Sequence, residues 1–377
     1  MLTNWYIKNI IIPNFVKYDN PGFVIIEQNT KSGNIYQRDI FLSEELLSRL
    51  ETEITATYGE KGKVFLYKIG KNFGWDYGKA FKIPTLKTSK VGDVKQAAIF
   101  LSKFIGGMWA QRSDIIKLDM ENNYFEITFE DYVVCRHNGL GYLLNSGSIC
   151  GLWAWMLGDF NLEGVQTKCQ GRKDSECKTI CAPLTTLSKI SNESYMMPDL
   201  IETNSLSEDY RIYNKIRPPM FSTSTVKELI TSNVLTYKNG IVEYHDERYL
   251  PMRIEFLFLL ESQIGYLQDG DKFLFQVAFD VGTRIAKKEK YMSTKFISDF
   301  MSFQGWGDML ITTDLSRISI QYYPWHELYA KTKKDVFLGL LSAFISVYKN
   351  KRITVEIKDE DLKKGFVSMN FIIKEQS

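Results

Sequence analysis

The chain is poor in the groups that most often carry catalysis and metal binding. It has three histidines in 377 residues, His137, His245 and His326, so chemistry built on imidazole has few places to stand. Five cysteines are an odd number for a disulfide framework, and a chain this long does not need one. Forty-seven Lys and Arg against 45 Asp and Glu leave a net charge of +2, which builds no global field for nucleic acid or an acidic membrane. No apolar run approaches the ~20 residues that span a bilayer. The N-terminal MLTNWYIKNIIIPNF has neither a basic leader nor a small-residue cleavage site, which predicts a cytoplasmic protein. There is no dinucleotide fingerprint, phosphate-binding loop or Gly-x-Ser-x-Gly elbow.

What the chain has is aromatic content, 14%, with 24 Phe and 21 Tyr, and an internal repeat. Aromatics fill large cores and also line pockets for flat or apolar ligands. Phe65–Lys79 (FLYKIGKNFGWDYGK) aligns without a gap on Phe273–Lys287 (FLFQVAFDVGTRIAK). Tyr18–Val24 pairs with Tyr237–Val242, and Gly151–Leu157 with Gly339–Ile345. A repeat of this period fixes the domain count before any motif does. The expected domains are 1–183 and 226–377, joined by a Ser/Thr/Asn-rich linker over 184–225.

Within the first copy, GFVIIEQ and NIYQRDIFL flank a turn and read as a β-ribbon. Ser43 then caps a helix carrying Leu46, Leu47 and Leu50 at helical spacing. A second helix over 64–81 carries Gly70, Gly74 and Gly78 on one face. Glycine costs about 1 kcal/mol in a helix interior, so such a stripe marks close approach by another element or by a ligand. Another helix is expected from 91 to 105, then alternating strands over 113–135, an apolar helix over 145–157, and a strand, tight loop and strand over 164–181. The second copy repeats this order. The fold class is therefore α+β, two tandem copies of a domain with helices packed on a largely antiparallel sheet.

All five cysteines fall between 135 and 181. Cys169 and Cys177 frame a glycine-containing loop that can return two thiolates to one side of a hairpin. Zinc requires four convergent ligands, and the others would come from Glu163, Cys150, Cys135 and His137. Free cysteine also packs as a small hydrophobe, so core packing is the alternative. In the second copy Ile357 stands where Cys169 would be, and no cysteine follows.

The stretch GSICGLWAWMLGDFNLEGVQTKCQGRKDSECKTICAP, Gly147 to Pro183, resembles the C-terminal half of the 4-vinyl-reductase domain. Gly147 and Gly151 match its helix glycines, and Cys169 and Cys177 match its cysteine pair. The resemblance implies a fold similar to vesicle-tethering subunits and haem-type nitric-oxide sensors. It also implies a small hydrophobic or aromatic ligand and zinc on the paired cysteines. Gln166 stands where the resemblance would place a ligating glutamate, and Tyr142-Leu143 where it would place an upstream cysteine. The metal candidates are Cys169, Cys177, Cys150 and Glu163. The ligand-binding candidates are Gly74, Trp75, Gly78, Trp109, Gly147, Cys150, Gly151 and Trp153.

These observations lead to the expectation of a non-enzymatic sensor or binding protein for a small hydrophobic molecule. Its second domain would serve a homodimer or a protein partner. The alternatives are a tethering scaffold without a ligand, and a reductase or accessory of tetrapyrrole synthesis.

Overall fold

The computed structural model describes residues 16–17, 20–30, 33–132, 135, 143–191, 200–201, 203, 221, 223–238, 241–324, 328–363 and 366–375, together with 6 and 10. In chain order the elements begin with β1 (Val16–Lys17), β2 (Val24–Thr30) and β3 (Gly33–Ser43). Then come α1 (Glu44–Ala80), α2 (Val91–Trp109), β4 (Arg112–Asp119), β5 (Tyr124–Glu130), α3 (Leu143–Leu157), β6 (Glu163–Lys168) and β7 (Cys177–Ala182). The second half contains β8 (Thr236–Lys238), β9 (Ile241–Tyr244), β10 (Glu247–Arg253), α4 (Ile254–Gly265), α5 (Gly270–Lys288) and α6 (Thr294–Phe303). It closes with β11 (Asp308–Ile311), β12 (Ile318–Gln321), α7 (Asp335–Lys349), β13 (Ile353–Lys363) and β14 (Phe366–Glu375).

By its internal contacts the chain divides into two units. The first comprises Met1–Pro13, Leu47–Ser205 and Asn239–Ile241; the second comprises Asn14–Leu46, Leu206–Lys238 and Val242–Ser377. Both are α+β and antiparallel. The first has a four-stranded sheet in the order β4-β5-β7-β6, and the second has one in the order β11-β12-β14-β13. The repeat read from the sequence is therefore also a repeat of topology. The N-terminal ribbon falls in the second unit, where β3 pairs with β10, Ser43 opposite Tyr249 and Asp39 opposite Arg253. Of the expected linker, Leu184–Leu187 forms one helical turn, and most of the remainder lies outside the described residues.

The two helices expected over 42–81 run as one, broken at Gly59, whose φ of 57° and ψ of −137° leave the helical region. Ser43 caps it as expected, its hydroxyl accepting from the Leu46 N–H at 3.1 Å. α2 continues through Gly106 to Trp109, past the expected end, because Gly106 gives room to Ser113: a Cβ there would lie 1.9 Å from the Ser113 hydroxyl.

The glycine stripe is explained by helix contact. A Cβ on Gly74 would lie 1.9 Å from the Ser148 carbonyl oxygen, and one on Gly151 would lie 1.9 Å from that of Lys71. Gly70 and Gly147 meet backbone at 2.2 and 2.5 Å, and Gly78 meets the Trp155 ring at 2.4 Å. α1 and α3 therefore pack backbone against backbone. α3 is buried nearly all round, as a helix between a second helix and a sheet must be. In the second unit α5 and α7 repeat the pairing with slightly larger residues. Gly282 faces the Ala343 methyl at 2.8 Å, and Gly339 faces the Phe275 carbonyl oxygen at 2.4 Å.

A buried glutamate holds the start of the last helix in each unit. Glu51 accepts the Leu143 and Leu144 N–H groups at 2.6 and 3.3 Å. Glu261 accepts those of Lys334 and Val336 at 3.0 and 3.3 Å. Both satisfy donors that a helix N-terminus leaves unpaired. Burial pushes the Glu261 carboxyl up to about 7, against the pull of these N–H groups. Burial likewise raises Asp39 and Glu247 to about 7. The second unit also contains a buried bidentate ion pair, Arg248 Nε and Nη2 to the Glu44 oxygens at 2.6 and 2.8 Å.

Two predictions follow from this packing. Gly74→Ala should cost about 1–3 kcal/mol by overpacking. Gly92→Ala on α2, with nothing within 4 Å of the added methyl, should be neutral or stabilising by up to about 1 kcal/mol. Urea denaturation measures both. Because the folded Glu261 binds its proton more tightly than the unfolded chain does, its contribution is complete below about 4.5 and is lost as pH rises through about 7. Glu261→Gln keeps an acceptor and removes the titration, so its urea midpoint should fall less than that of the parent between pH 4.5 and 7.5.

Candidate metal centre and apolar cavity

The site lies wholly in the first unit, on the β6–β7 hairpin and the end of β5. After Cys169 the chain makes a 3-10 turn over Gln170–Arg172, and Lys173 takes the left-handed conformation at φ 73°. The Arg172 and Asp174 N–H groups both donate to the Cys169 carbonyl, at 2.8 and 3.2 Å. The Asp174 carboxylate accepts from the Cys169 N–H at 2.7 Å. The tight loop turns the chain back so that Cys177 lies beside Cys169. Gln170 Oε1 then accepts the Asp131 N–H at 2.7 Å, tying the loop to the segment that leaves β5. Tyr132 on that segment is buried and donates to Asn145 Oδ1 at 2.5 Å. Three residues on is Cys135.

The sulfurs of Cys135, Cys169 and Cys177 lie within 4.8 Å of one another, and all three residues are buried. Hydrogen bonds from the Cys135 and Cys177 thiols, with the Gly171 and Arg172 N–H groups behind them, hold the Cys169 thiol well below its usual range. The same hydrogen bonding, with burial, pushes Cys135 up. The Gln170 N–H donates to Cys177 Sγ at 3.4 Å. The three sulfurs thus share hydrogen bonds with one another and with the Gln170, Gly171 and Arg172 N–H groups. For comparison, a tetrahedral zinc with sulfurs at about 2.3 Å spaces them about 3.8 Å apart. That spacing falls within the 4.8 Å that bounds the triad, so these three residues fit a thiolate-bound metal.

The structure brings Cys169 and Cys177 together as expected, and it holds the other two metal candidates, Glu163 and Cys150, apart from them. Glu163 sits at the far end of the hairpin, in register with Ala182, whereas Lys168 pairs with Lys178. Six residues of extended chain carry it about 20 Å from Cys169. There it accepts from Tyr67 Oη at 2.7 Å and Lys71 Nζ at 3.0 Å. Tyr67 in turn accepts the Gly164 N–H at 2.7 Å, and burial, with the Cys150 and Glu163 charges, pushes its phenol up. Lys71 also lies over the Phe160 ring at 4.7 Å. Cys150 lies at the same far end of the hairpin: its thiol donates to the Leu162 carbonyl at 3.2 Å and it packs over Gly164. It hydrogen-bonds Cys181, not the triad. Cys135, also among the candidates, is the third sulfur of the group, whereas the resemblance pointed to Tyr142-Leu143, outside the described residues except for Leu143. What brings Cys135 to the pair is the strand register, in which Phe129 pairs with Cys177, and no local sequence signal gives that register. His137 lies outside the described residues.

A cavity of about 30 Å³ opens between α2, β5 and α3. Phe125, Ile127 and Phe129, alternate residues of β5, form one wall, and Ile149, Leu152 and Trp153 of α3 face them. Phe125 and Trp153 stack with centroids 4.9 Å apart. Of the expected ligand-binding residues, Trp153 lines this cavity. Gly74, Gly78, Gly147 and Gly151 are consumed in the α1–α3 contact. Trp75 packs edge-on against Trp155 and Phe160, with centroids at 5.3 and 5.1 Å. Trp109 is half-buried, its indole N–H without a hydrogen-bond partner. Sequence reasoning missed the β5 wall, although its period-two apolar pattern was plain.

No family model matches the chain, and no curated protein matches it either. Among solved structures it is similar to the crystal structure of the phenol-responsive sensory domain of the transcription activator PoxR with phenol. The match covers 50% of this chain and 95% of that one, at 17% identity and a TM-score of 0.35, a superposition too loose to carry an argument about fold or function. No helix among the described residues is long and apolar enough to cross a membrane.

Proposed function

We propose that the chain is a binding protein for a small apolar or aromatic molecule. Its first unit would carry both the ligand cavity and a thiolate metal centre, and both units would be of the 4-vinyl-reductase type. The observation that carries this is the shared strand: Phe129 lines the cavity and pairs in register with Cys177 of the triad. A metal on Cys135, Cys169 and Cys177 would close the hairpin against the end of β5 and so fix the cavity wall. The resemblance implies zinc as that metal. Metal binding of this kind supplies folding energy to the segment it closes. The second unit, which keeps the topology without cysteines, would offer its surface to a second copy or a protein partner.

The size of the cavity favours a second reading. At about 30 Å³ it is far smaller than the roughly 300–1,000 Å³ of ordinary ligand pockets, so a ligand would have to displace α2 or α3 side chains. A scaffold with no small ligand needs no such movement.

The two readings separate on binding. Toluene or indole titrated into the full chain should change the Trp153 signal saturably if the first holds. Ala98→Leu, which extends a buried side chain into the cavity, should leave the thermal midpoint unchanged or higher while weakening binding at least about tenfold. Absence of saturable binding to the parent chain would move the function to the scaffold.

A further inference from the structure

β4 stands at the end of the first unit's sheet, and among the described residues β5 pairs with one of its edges and no strand pairs with the other. The register with β5 skips a residue: Ile115 lies opposite Ile127 and Lys117 opposite Glu126, so Ile116 is a bulge. It is 56% exposed, and the Arg112 and Lys117 side chains are more exposed still. Opposed residues of an antiparallel pair share a face. Ser113, Ile115 and Leu118, opposite Phe129, Ile127 and Phe125, therefore lie on the face of the cavity. Arg112, Asp114, Lys117 and Asp119, opposite Glu130, Thr128, Glu126 and Tyr124, lie on the other face. Without the bulge the two halves of this charged set would fall on opposite faces. With it they form one row, plus, minus, plus, minus, centred on Ile115.

Read from its other end the row is minus, plus, minus, plus, so it is complementary to itself. We propose that β4 is a homodimer contact, in which two copies pair antiparallel across a two-fold axis at Ile115 and join their sheets edge to edge. Arg112 of one copy then meets Asp119 of the other, Asp114 meets Lys117, Ser113 meets Leu118, and Ile115 meets its own counterpart. Asp114 already has Arg112 beside it at 2.5 Å and Asp119 has Lys117 at 3.7 Å, and pairing extends these contacts into a checkerboard across the axis. Charges and bulges also serve to protect an edge strand. Here the charges attract their own copy, where a row of one sign would repel it. The border of the edge is apolar. Lys103 of α2, which covers the cavity face, reaches Asp114 on the other face at 2.8 Å and the Ser113 carbonyl at 2.7 Å, so it passes round the outer edge. Ile99 and Phe100, one turn before it on the same side of the helix, are exposed. The Ser113 carbonyl has two lone pairs, so Lys103 can stay as the ladder forms. In the second unit β11 holds the place of β4 with four residues, three of them buried, and no such row. The contact requires neither ligand nor metal.

The test is sedimentation of the full chain over a range of concentrations, with circular dichroism checking that each variant is folded. The parent should form a dimer that weakens as salt is added. Asp114→Lys sets two lysines against each other on both sides of the axis, and Lys117→Asp sets two aspartates there. Each variant alone should dimerise at least about tenfold more weakly than the parent. Mixed one to one, they set lysine against aspartate at every such position, and the mixture should regain the dimer as a heterodimer. A parent that is monomeric at the highest concentration would overturn the proposal. So would a dimer that neither variant weakens, which places the contact on another surface, or two folded variants that do not recover the dimer on mixing, which rules out this register.

Discussion

The contact on which each unit depends is a pair of helices touching through their backbones. Gly74 against Ser148 and Gly151 against Lys71 leave no room for a single methyl group. That closeness places α3 where its remaining faces meet β6 and the α2 side. It also brings Lys71 and Tyr67 of α1 within reach of Glu163. A buried lysine is tolerated because its charge is answered at 3.0 Å, and a lone charge in that position would cost several kcal/mol. The second unit builds the same pair with alanines in support. The pairing is thus a property of the repeated fold, and the cysteines are an addition to one copy of it.

The addition is local in sequence but not on one element. Cys169 and Cys177 come from a hairpin whose loop holds them with its own hydrogen bonds. Cys135 arrives on a segment that leaves β5 and is pinned by Gln170 and Asn145. β5 consequently borders both cavity and triad, with alternate side chains facing the helices and Phe129, its penultimate residue, paired to Cys177.

Much of the architecture was legible in the residues. Glycine at every fourth position of a helix has a cost, and close packing is the common reason to bear it. Alternation in YFEITFE fixed β5, and the loop between Cys169 and Cys177 announced a hairpin. The parts that were not legible are those fixed by long-range register. Nothing local in Asp39–Ser43 shows that it will pair with residues 249–253. Glu163 looked like a metal ligand because it is near Cys169 in sequence, yet on an extended strand six residues are a long distance. Cys150 lay closer in sequence to Cys169 than Cys135 does, but its position on α3 directs it to Gly164 and Cys181.

The most direct measurement is an anomalous diffraction map of the full chain crystallised without chelator, recorded on both sides of the zinc absorption edge. The account predicts one peak in the first unit, equidistant from the sulfurs of Cys135, Cys169 and Cys177, and none in the second. Ordered thiols with no peak between them, or a disulfide joining two of the three, would contradict it.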